Sequence, residues 1–506
     1  AMDILSRFFI DPLFNETAVN REINAINSEH MKNINSDLWR AHHFIDFISK
    51  KNSAINKFST GNIKSLNKPN VRENMIKFYE RYYISTKISV TTISSKKSSI
   101  VNNMIKNSFG MIKRKESPKD KLFDFPIFKP FYNKGNEYFY LKSITKSNTI
   151  IYLWETPLFY NYYTNDLSPY FISDLIRDDS ESSFSYFLTK KGLIKSIYPY
   201  YFDEGKFLIG IELNDLNDWV EVDSYFRYFI NKLKESSINY DEISKYQRKR
   251  DKLLFNISER EDSVELAQKI ANNLHSYSIK DCVFATSYCI KVDIDKIREF
   301  VNLLSFNSVK IILSNEKDFP NIKKLKWKGM KLKTEPFYNL EYIEIELKDY
   351  ESDELKSGKY FPFKIETSNP YLNIKPKLIN NLGKIESKTT VEKFRESTKN
   401  IYPKKIHDKL WFGNLSEFNE GVIYTSIIFH VEDYVYSNIE NHLLYNLLIS
   451  FINYKLNLSF NVEKEIGYTS FFNSDINQSN INLFISGWND KFEKYFLDVI
   501  NNISNI

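Results

Sequence analysis

"REINAINSEH", Arg21 to His30, places two carboxylates, Glu22 and Glu29, seven residues apart. On a helix of 3.6 residues per turn that is two turns, so both side chains leave the same face. Val19, Ile23, Ile26 and Met31 recur around them at three- and four-residue steps, which predicts an amphipathic helix pressed against a core. On spacing alone the two acids read either as a solvated helix edge, the ordinary fate of such pairs, or as carboxylates held for a partner.

The flanking sequence bears on that choice. It runs from "FFIDPLFNETAVNREINAINSEHMKNINSDLWR" (Phe8 to Arg40) through "KFSTGN" (Lys57 to Asn62) to "IKFYERYY" (Ile76 to Tyr83). In residue order and in gaps this resembles the segment that follows the catalytic motif in insulysin-type and pitrilysin-type zinc peptidases. In that family a helix bearing H-x-x-E-H supplies two imidazoles, and a glutamate about 75 residues later completes the metal site. The resemblance implies that Glu29 is the metal ligand and that Glu22 is the neighbouring acid supporting the site. It also puts Trp39 where the family has a substrate-binding aromatic of the cleft; a core tryptophan is the alternative. The implied cofactor is Zn2+, which lowers the pKa of a bound water to roughly 7. The implied activity is endopeptidase action on short peptides enclosed in a chamber.

The chain has 7 histidines, none in an H-x-x-E-H or H-E-x-x-H arrangement. A full site therefore needs two histidines from an upstream segment. The opening "AMD" reads as an artificial start or a processing scar. The expectation is a piece of a longer peptidase, inactive alone, without the H-x-x-E-H segment and the C-terminal part. The alternative is a non-catalytic peptide-binding or scaffold subunit that has lost the motif. His42 and His43 point about 100° apart on a helix and read as surface or cleft histidines.

Composition narrows the field. With 506 residues, several domains are expected, and 42% hydrophobic content with 40 Phe and 34 Tyr can build large cores. The net charge of +6 is spread over the chain. The densest basic cluster, "KKLKWKGMKLK" (Lys323 to Lys333), is short, which argues against nucleic acid as a partner. No apolar run of about 18 residues predicts a membrane span. Two cysteines, Cys282 and Cys289, exclude a disulfide framework and read as buried thiols. The compartment stays open, cytoplasmic or secretory.

Along the chain, apolar periodicity predicts helices over 17–48, 71–83 and 97–109, with a strand at "KISVTTIS" (Lys87 to Ser94). A charged linker with prolines follows at 113–130. Next come paired strands "NEYFYLKSI" (Asn136 to Ile144) and "NTIIYLWE" (Asn148 to Glu155), helices near 165–177 and 182–191, a strand at 206–214 and longer helices over 218–274. After a second linker, a strand at 421–431 and a helix at 434–457 begin a third unit. The fold class is α+β, built of repeated domains with antiparallel-rich sheets and helices packed on one face. By the resemblance, 1–118 is the back part of the catalytic domain, 119–346 a second insulinase-like domain, 347–380 a linker and 381–506 the start of a third.

Two details of the second domain concern substrate. "LIRDDSESSFSYFLTKKG" (Leu175 to Gly192) is similar to a family loop, but Arg177, Asp178, Ser180 and Ser182 replace its glycines and histidine. The next stretch, "LIKSIYPYYF" (Leu193 to Phe202), resembles an edge strand that pairs with the substrate's N-terminal residues. It implies Ile197 and Tyr198 as substrate-binding positions. Pro199 stands where the family has glycine and lacks an amide donor, so the strand is either a retuned exosite or a plain edge protected by proline. The expected partners are peptide substrates and the remaining domains of a full-length protein.

Overall fold

The computed structural model describes residues 2–51, 55–114, 138–156, 168–202, 205–257, 262–287, 292–306, 308–314, 332–345, 358–365, 367, 369, 371–375, 404–407, 410–412, 421–430, 438–475 and 480–505. The basic cluster at 323–331, the linker residues 115–130 and Cys289 lie outside them. The chain divides into two compact units. The first holds residues 1–178, 182–248 and 260–365, the second 179–181, 249–259 and 366–506.

The first unit opens with helices α1 (Met2–Ile10), α2 (Glu16–Asn33), α3 (Asp37–Ile48), α4 (Ile63–Leu66), α5 (Val71–Tyr82) and α6 (Ser98–Asn107). The single helix expected over 17–48 is two, because Ser36 is extended at φ −112°, ψ 117°. Asn35, Ser36 and Asp37 are helix-start residues, and a new helix begins there. "KFSTGN" turns the chain back onto α2. Gly61 takes φ +76° there, Asn62 caps α4 in a reciprocal box with Ser65, and Asn27 of α2 accepts the Ile63 amide at 3.0 Å. "KISVTTIS" is not a strand. After a 3-10 turn at Ser85–Lys87 the segment runs on unpaired, since no neighbouring strand among the described residues supplies a ladder.

The core of this unit is a seven-stranded sheet in the order β3-β4-β2-β5-β1-β7-β6. Its strands are β1 (Tyr138–Lys142), β2 (Thr149–Glu155), β3 (Ile194–Phe202), β4 (Lys206–Leu213), β5 (Val309–Ser314), β6 (Lys333–Glu335) and β7 (Leu340–Ile345). β1 and β2, expected as a pair, are separated by β5, which runs parallel to β1 and antiparallel to β2. The other strand pairs in this sheet are antiparallel. β2 and β5 are covered on both faces, so nearly every residue is buried and the sequence lacks the two-residue alternation of a half-exposed strand.

On one face lie α7 (Ser168–Arg177), α8 (Phe184–Lys190), α9 (Trp219–Lys234) and α12 (Ile294–Leu303). They bury Trp154, Phe207, Phe226, Phe229 and Phe300. Helices α10 (Tyr240–Ile257) and α11 (Ser263–Asn273) lie between α9 and α12 in sequence. Phe361, from the stretch read as a linker, stacks on Phe187 beside α9. On the opposite face α3 sets Phe44 and Ile45 against Phe139, Leu141, Ile151, Leu153 and Ile311.

The second unit has a three-stranded antiparallel sheet, β10 (Val422–His430), β12 (Asn480–Trp488) and β11 (Thr469–Asp475) in that order, and a hairpin of β8 (Lys404–His407) with β9 (Leu410–Phe412). Among the described residues it also holds helices α13 (Ile439–Ser459), α14 (Asn461–Lys464) and α15 (Phe492–Ser504) and the end of α10. Its core gathers Tyr371, Leu456, Tyr468, Ile485, Tyr495 and Val499. Outside that core, Ile428 and Phe429 of β10 and Leu443, Leu444, Leu447 and Leu448 of α13 are exposed.

Candidate functional site

α2 presents Glu22 and Glu29 to solvent while Val19, Ile23 and His30 face inward. The inward side is fixed by polar chemistry as well as apolar contact. His30 Nε2 donates to the Phe337 carbonyl at 3.1 Å, which sets its tautomer, since a carbonyl only accepts. Burial holds the His30 imidazole below its ordinary value, with the Phe337 bond opposing. Its ring meets Phe58 and Tyr338 edge-on, and Phe58 stacks on Phe337 at 4.1 Å.

Three buried carboxylates link α3 to the sheet. At its start, Asp37 accepts from the Ile144 and Thr145 amides at 2.9 Å, from Ser143 Oγ at 2.6 Å and from Thr145 Oγ1 at 2.7 Å. It also pairs with buried Arg40 at 3.1 Å. Asp37 thus holds the β1–β2 connection. In the middle of α3, His43 Nε2 lies 3.1 Å from Glu335 Oε1. Glu335 is fully buried and also accepts from the Phe337 and Tyr338 amides at 2.8 Å each, closing the β6–β7 turn. Towards the end of α3, Asp46 pairs with buried Lys206 of β4 at 2.9 Å, and the Lys206 ammonium lies over the Phe202 ring. His43, read from sequence as a surface or cleft histidine, is therefore a core residue. Its partner sits 292 residues away.

These bonds give the first unit a pH dependence. Burial alone would raise the Asp37 and Glu335 carboxyls. Hydrogen bonds from Ser143, Thr145 and the amides outweigh it at Asp37, as do those from His43 and two amides at Glu335, and both carboxyls sit below their ordinary values. A carboxyl depressed by folding adds stability above its unfolded value, and that stability is lost as the pH falls through the folded one. Urea midpoints should hold above about pH 5 and fall increasingly below about pH 4. Glu335→Gln should flatten part of that acid limb; a profile parallel to the unsubstituted protein would refute the assignment.

Between α3 and the β3–β4 end of the sheet lies a cavity of about 570 Å³. Trp39, Leu38, His42 and Ile45 of α3 form one wall, and Tyr198, Tyr200, Phe202, Leu208 and Glu212 form the other, with Thr149 and Ile151 among its remaining lining. Tyr198 lies across Gly210, where any Cβ would meet its ring at 2.2 Å. Burial pushes the Tyr198 phenol above its ordinary value, with a hydrogen bond to Thr149 opposing and Glu212 adding to the rise. Trp39 is 42% exposed and Tyr198 40%, so both rings remain open to a ligand. The cavity is of ligand-site size and mostly apolar.

The fold thus brings two sequence-identified residues, Trp39 and Tyr198, to one cavity. Ile197 points the other way, into the helix-covered core, and offers only its backbone to a ligand. Glu22 and Glu29 belong to α2 and do not line the cavity. Among the described residues no group of three or more His, Cys, Asp or Glu side chains is placed to hold a metal. The donors among the described residues do not by themselves make up a zinc site. Sequence reasoning missed Tyr200 and Phe202, although their alternation with Tyr198 on one strand face was the available signal.

A family model described as "Middle or third domain of peptidase_M16" matches residues 255–506, and one described as "Peptidase M16 inactive domain" matches 70–250. The putative zinc protease mug138 of Schizosaccharomyces pombe is 30% identical over 206 residues, 40% of this chain and 21% of that protein. Insulin-degrading enzyme of Homo sapiens is 23% identical over 390 residues, 74% of this chain and 36% of that protein. The crystal structure of pitrilysin superposes with a TM-score of 0.69 at 16% identity, over 99% of this chain and 52% of that one. The chain belongs to the insulinase-like peptidase M16 family. It spans about half of pitrilysin and 36% or less of these two curated relatives.

Proposed function

We propose that this chain is the central part of a zinc-dependent endopeptidase that degrades short peptides in an enclosed chamber, and that it is inactive alone. Glu29 supplies the carboxylate ligand, Glu22 supports it, and the two histidines come from residues outside this chain. Residues 1–118 complete the catalytic domain, 119–346 are the second domain, and 381–506 begin the third. The remaining domains of the full-length protein cover the exposed leucines of α13. The observation that carries the reading is the convergence of Trp39 and Tyr198 on one cavity, in a chain of this family.

The test is zinc content and peptide hydrolysis in the native full-length protein. About one zinc per chain, with hydrolysis that a chelator abolishes, is expected. A native protein that binds peptide yet holds no zinc and cleaves nothing supports the second reading, a non-catalytic peptide-binding or scaffold subunit. Pro199, placed on the strand assigned to substrate, favours that second reading.

A further inference from the structure

Glu29 stands exposed on the outer face of α2, so the place of its carboxylate is set by the place of the helix that carries it. Of the α2 side chains, Val19 and Ile23 are buried in the first half and His30 in the last turn. The end of the helix beside Glu29 is therefore seated through His30. That side chain meets the β6–β7 turn: its Nε2 donates to the Phe337 carbonyl at 3.1 Å, and its ring lies edge-on to Tyr338 at 4.9 Å between centroids. One turn earlier, Asn27 accepts the Ile63 amide of the segment that follows "KFSTGN". That loop is tied to the same turn, by Thr60 Oγ1 with Tyr338 Oη at 3.3 Å and by the stack of Phe58 on Phe337. Both seats of α2 thus converge on one turn. A directed hydrogen bond fixes position more narrowly than apolar contact, because it weakens steeply with angle.

The turn has its own anchor. Fully buried Glu335 accepts from the Phe337 and Tyr338 amides at 2.8 Å each and faces His43 Nε2 at 3.1 Å. Bonds to an ionised carboxylate are the strong ones, and three of them leave the Phe337 carbonyl little freedom.

We infer that His30 and Glu335 are positioning residues for Glu29: the β6–β7 turn, 307 residues from His30 at Phe337, is the seat that sets where α2 holds its carboxylate ligand. The inference rests on the peptidase reading and goes beyond it, because it puts part of the control of the metal site in the segment assigned to the second domain. Neither residue touches metal or peptide; both act through α2.

The experiment uses the native full-length protein, with zinc affinity read by competition against a chromogenic chelator and hydrolysis read at saturating zinc. His30→Leu keeps an apolar side chain and removes the donor. It should weaken zinc about 10–100-fold and lower kcat, while KM for peptide stays within about twofold. His30→Gln still presents an N–H to the Phe337 carbonyl and should restore zinc affinity to within about threefold. Ile176→Val, in the core on the opposite face of the sheet, destabilises the same unit without touching the turn and should leave zinc affinity unchanged. Glu335→Gln loosens the turn from its other side and should weaken zinc in the same direction as His30→Leu; it carries the test if His30→Leu does not fold. Zinc affinity within about twofold of the unsubstituted protein in the variant that carries the test overturns the inference and leaves the peptidase reading standing. So does a loss in Ile176→Val as large as in that variant, which would tie zinc to overall stability. If the unsubstituted protein holds no zinc, both fall together.

Discussion

Asp37→Ala should destabilise the first unit by about 3–5 kcal/mol, read as a drop in the urea midpoint at pH 7. The carboxylate is 9% exposed, and its oxygens accept from two backbone amides, two hydroxyls and the Arg40 guanidinium. Removing it leaves buried Arg40 as an uncompensated charge and frees the Ile144 and Thr145 groups, which lie on exposed residues, to water. Because Asp37 begins α3 and grips the β1–β2 connection, the loss is coupled to the wall carrying Trp39. Ligand contact at the cavity should weaken even where the fold survives. Asp37→Asn keeps the shape but loses the charge and presents donors to donors, so it should recover little. Lys142→Ala, which breaks an exposed ion pair with Glu341, is the matched control at about 0–1 kcal/mol. An Asp37→Ala midpoint as close to the unsubstituted protein as that of Lys142→Ala would show that the Asp37 links do not seat α3.

Much of this was legible locally. Helices α2 and α5 follow their three- and four-residue apolar steps, β4 lies close to its expected boundaries, and α9 begins where the run of longer helices was expected. What failed was non-local. "KISVTTIS" has the residues of a strand, but a strand needs a neighbour, and among the described residues none pairs with it. β1 and β2 looked like a hairpin because they are close in sequence, whereas β5, more than 150 residues later, inserts between them. The polar links of α3 were hidden in the same way: Glu335 and Lys206 lie 292 and 160 residues from their partners. Local pattern reports which residues face a core, and charge pairing across such separations becomes readable only once the sheet order is known. At the site, Trp39 and Tyr198 were found through family resemblance, whereas the cavity that joins them needed the placing of α3 over β3 and β4.

Glu29→Gln in the native full-length protein should reduce bound zinc from about one per chain to nearly none after dialysis, and abolish hydrolysis with it. A neutral amide cannot replace a carboxylate ligand. Glu22→Gln should instead retain zinc with affinity weakened about 10–100-fold, the effect of removing a group that orients a ligand without touching the metal. Position on α2 makes the pair a clean test. Both carboxylates face solvent, while the helix is held from its other side by His30 and the Phe337 carbonyl. Neither substitution touches that contact, so thermal unfolding of the metal-free protein should shift by less than about 0.5 kcal/mol in either variant. Loss of metal would then be loss of a ligand and not of the helix that carries it. A Glu29→Gln protein that keeps its zinc would remove Glu29 from the metal site. It would leave α2 as a solvated helix edge, the plainer of the two readings its spacing allowed.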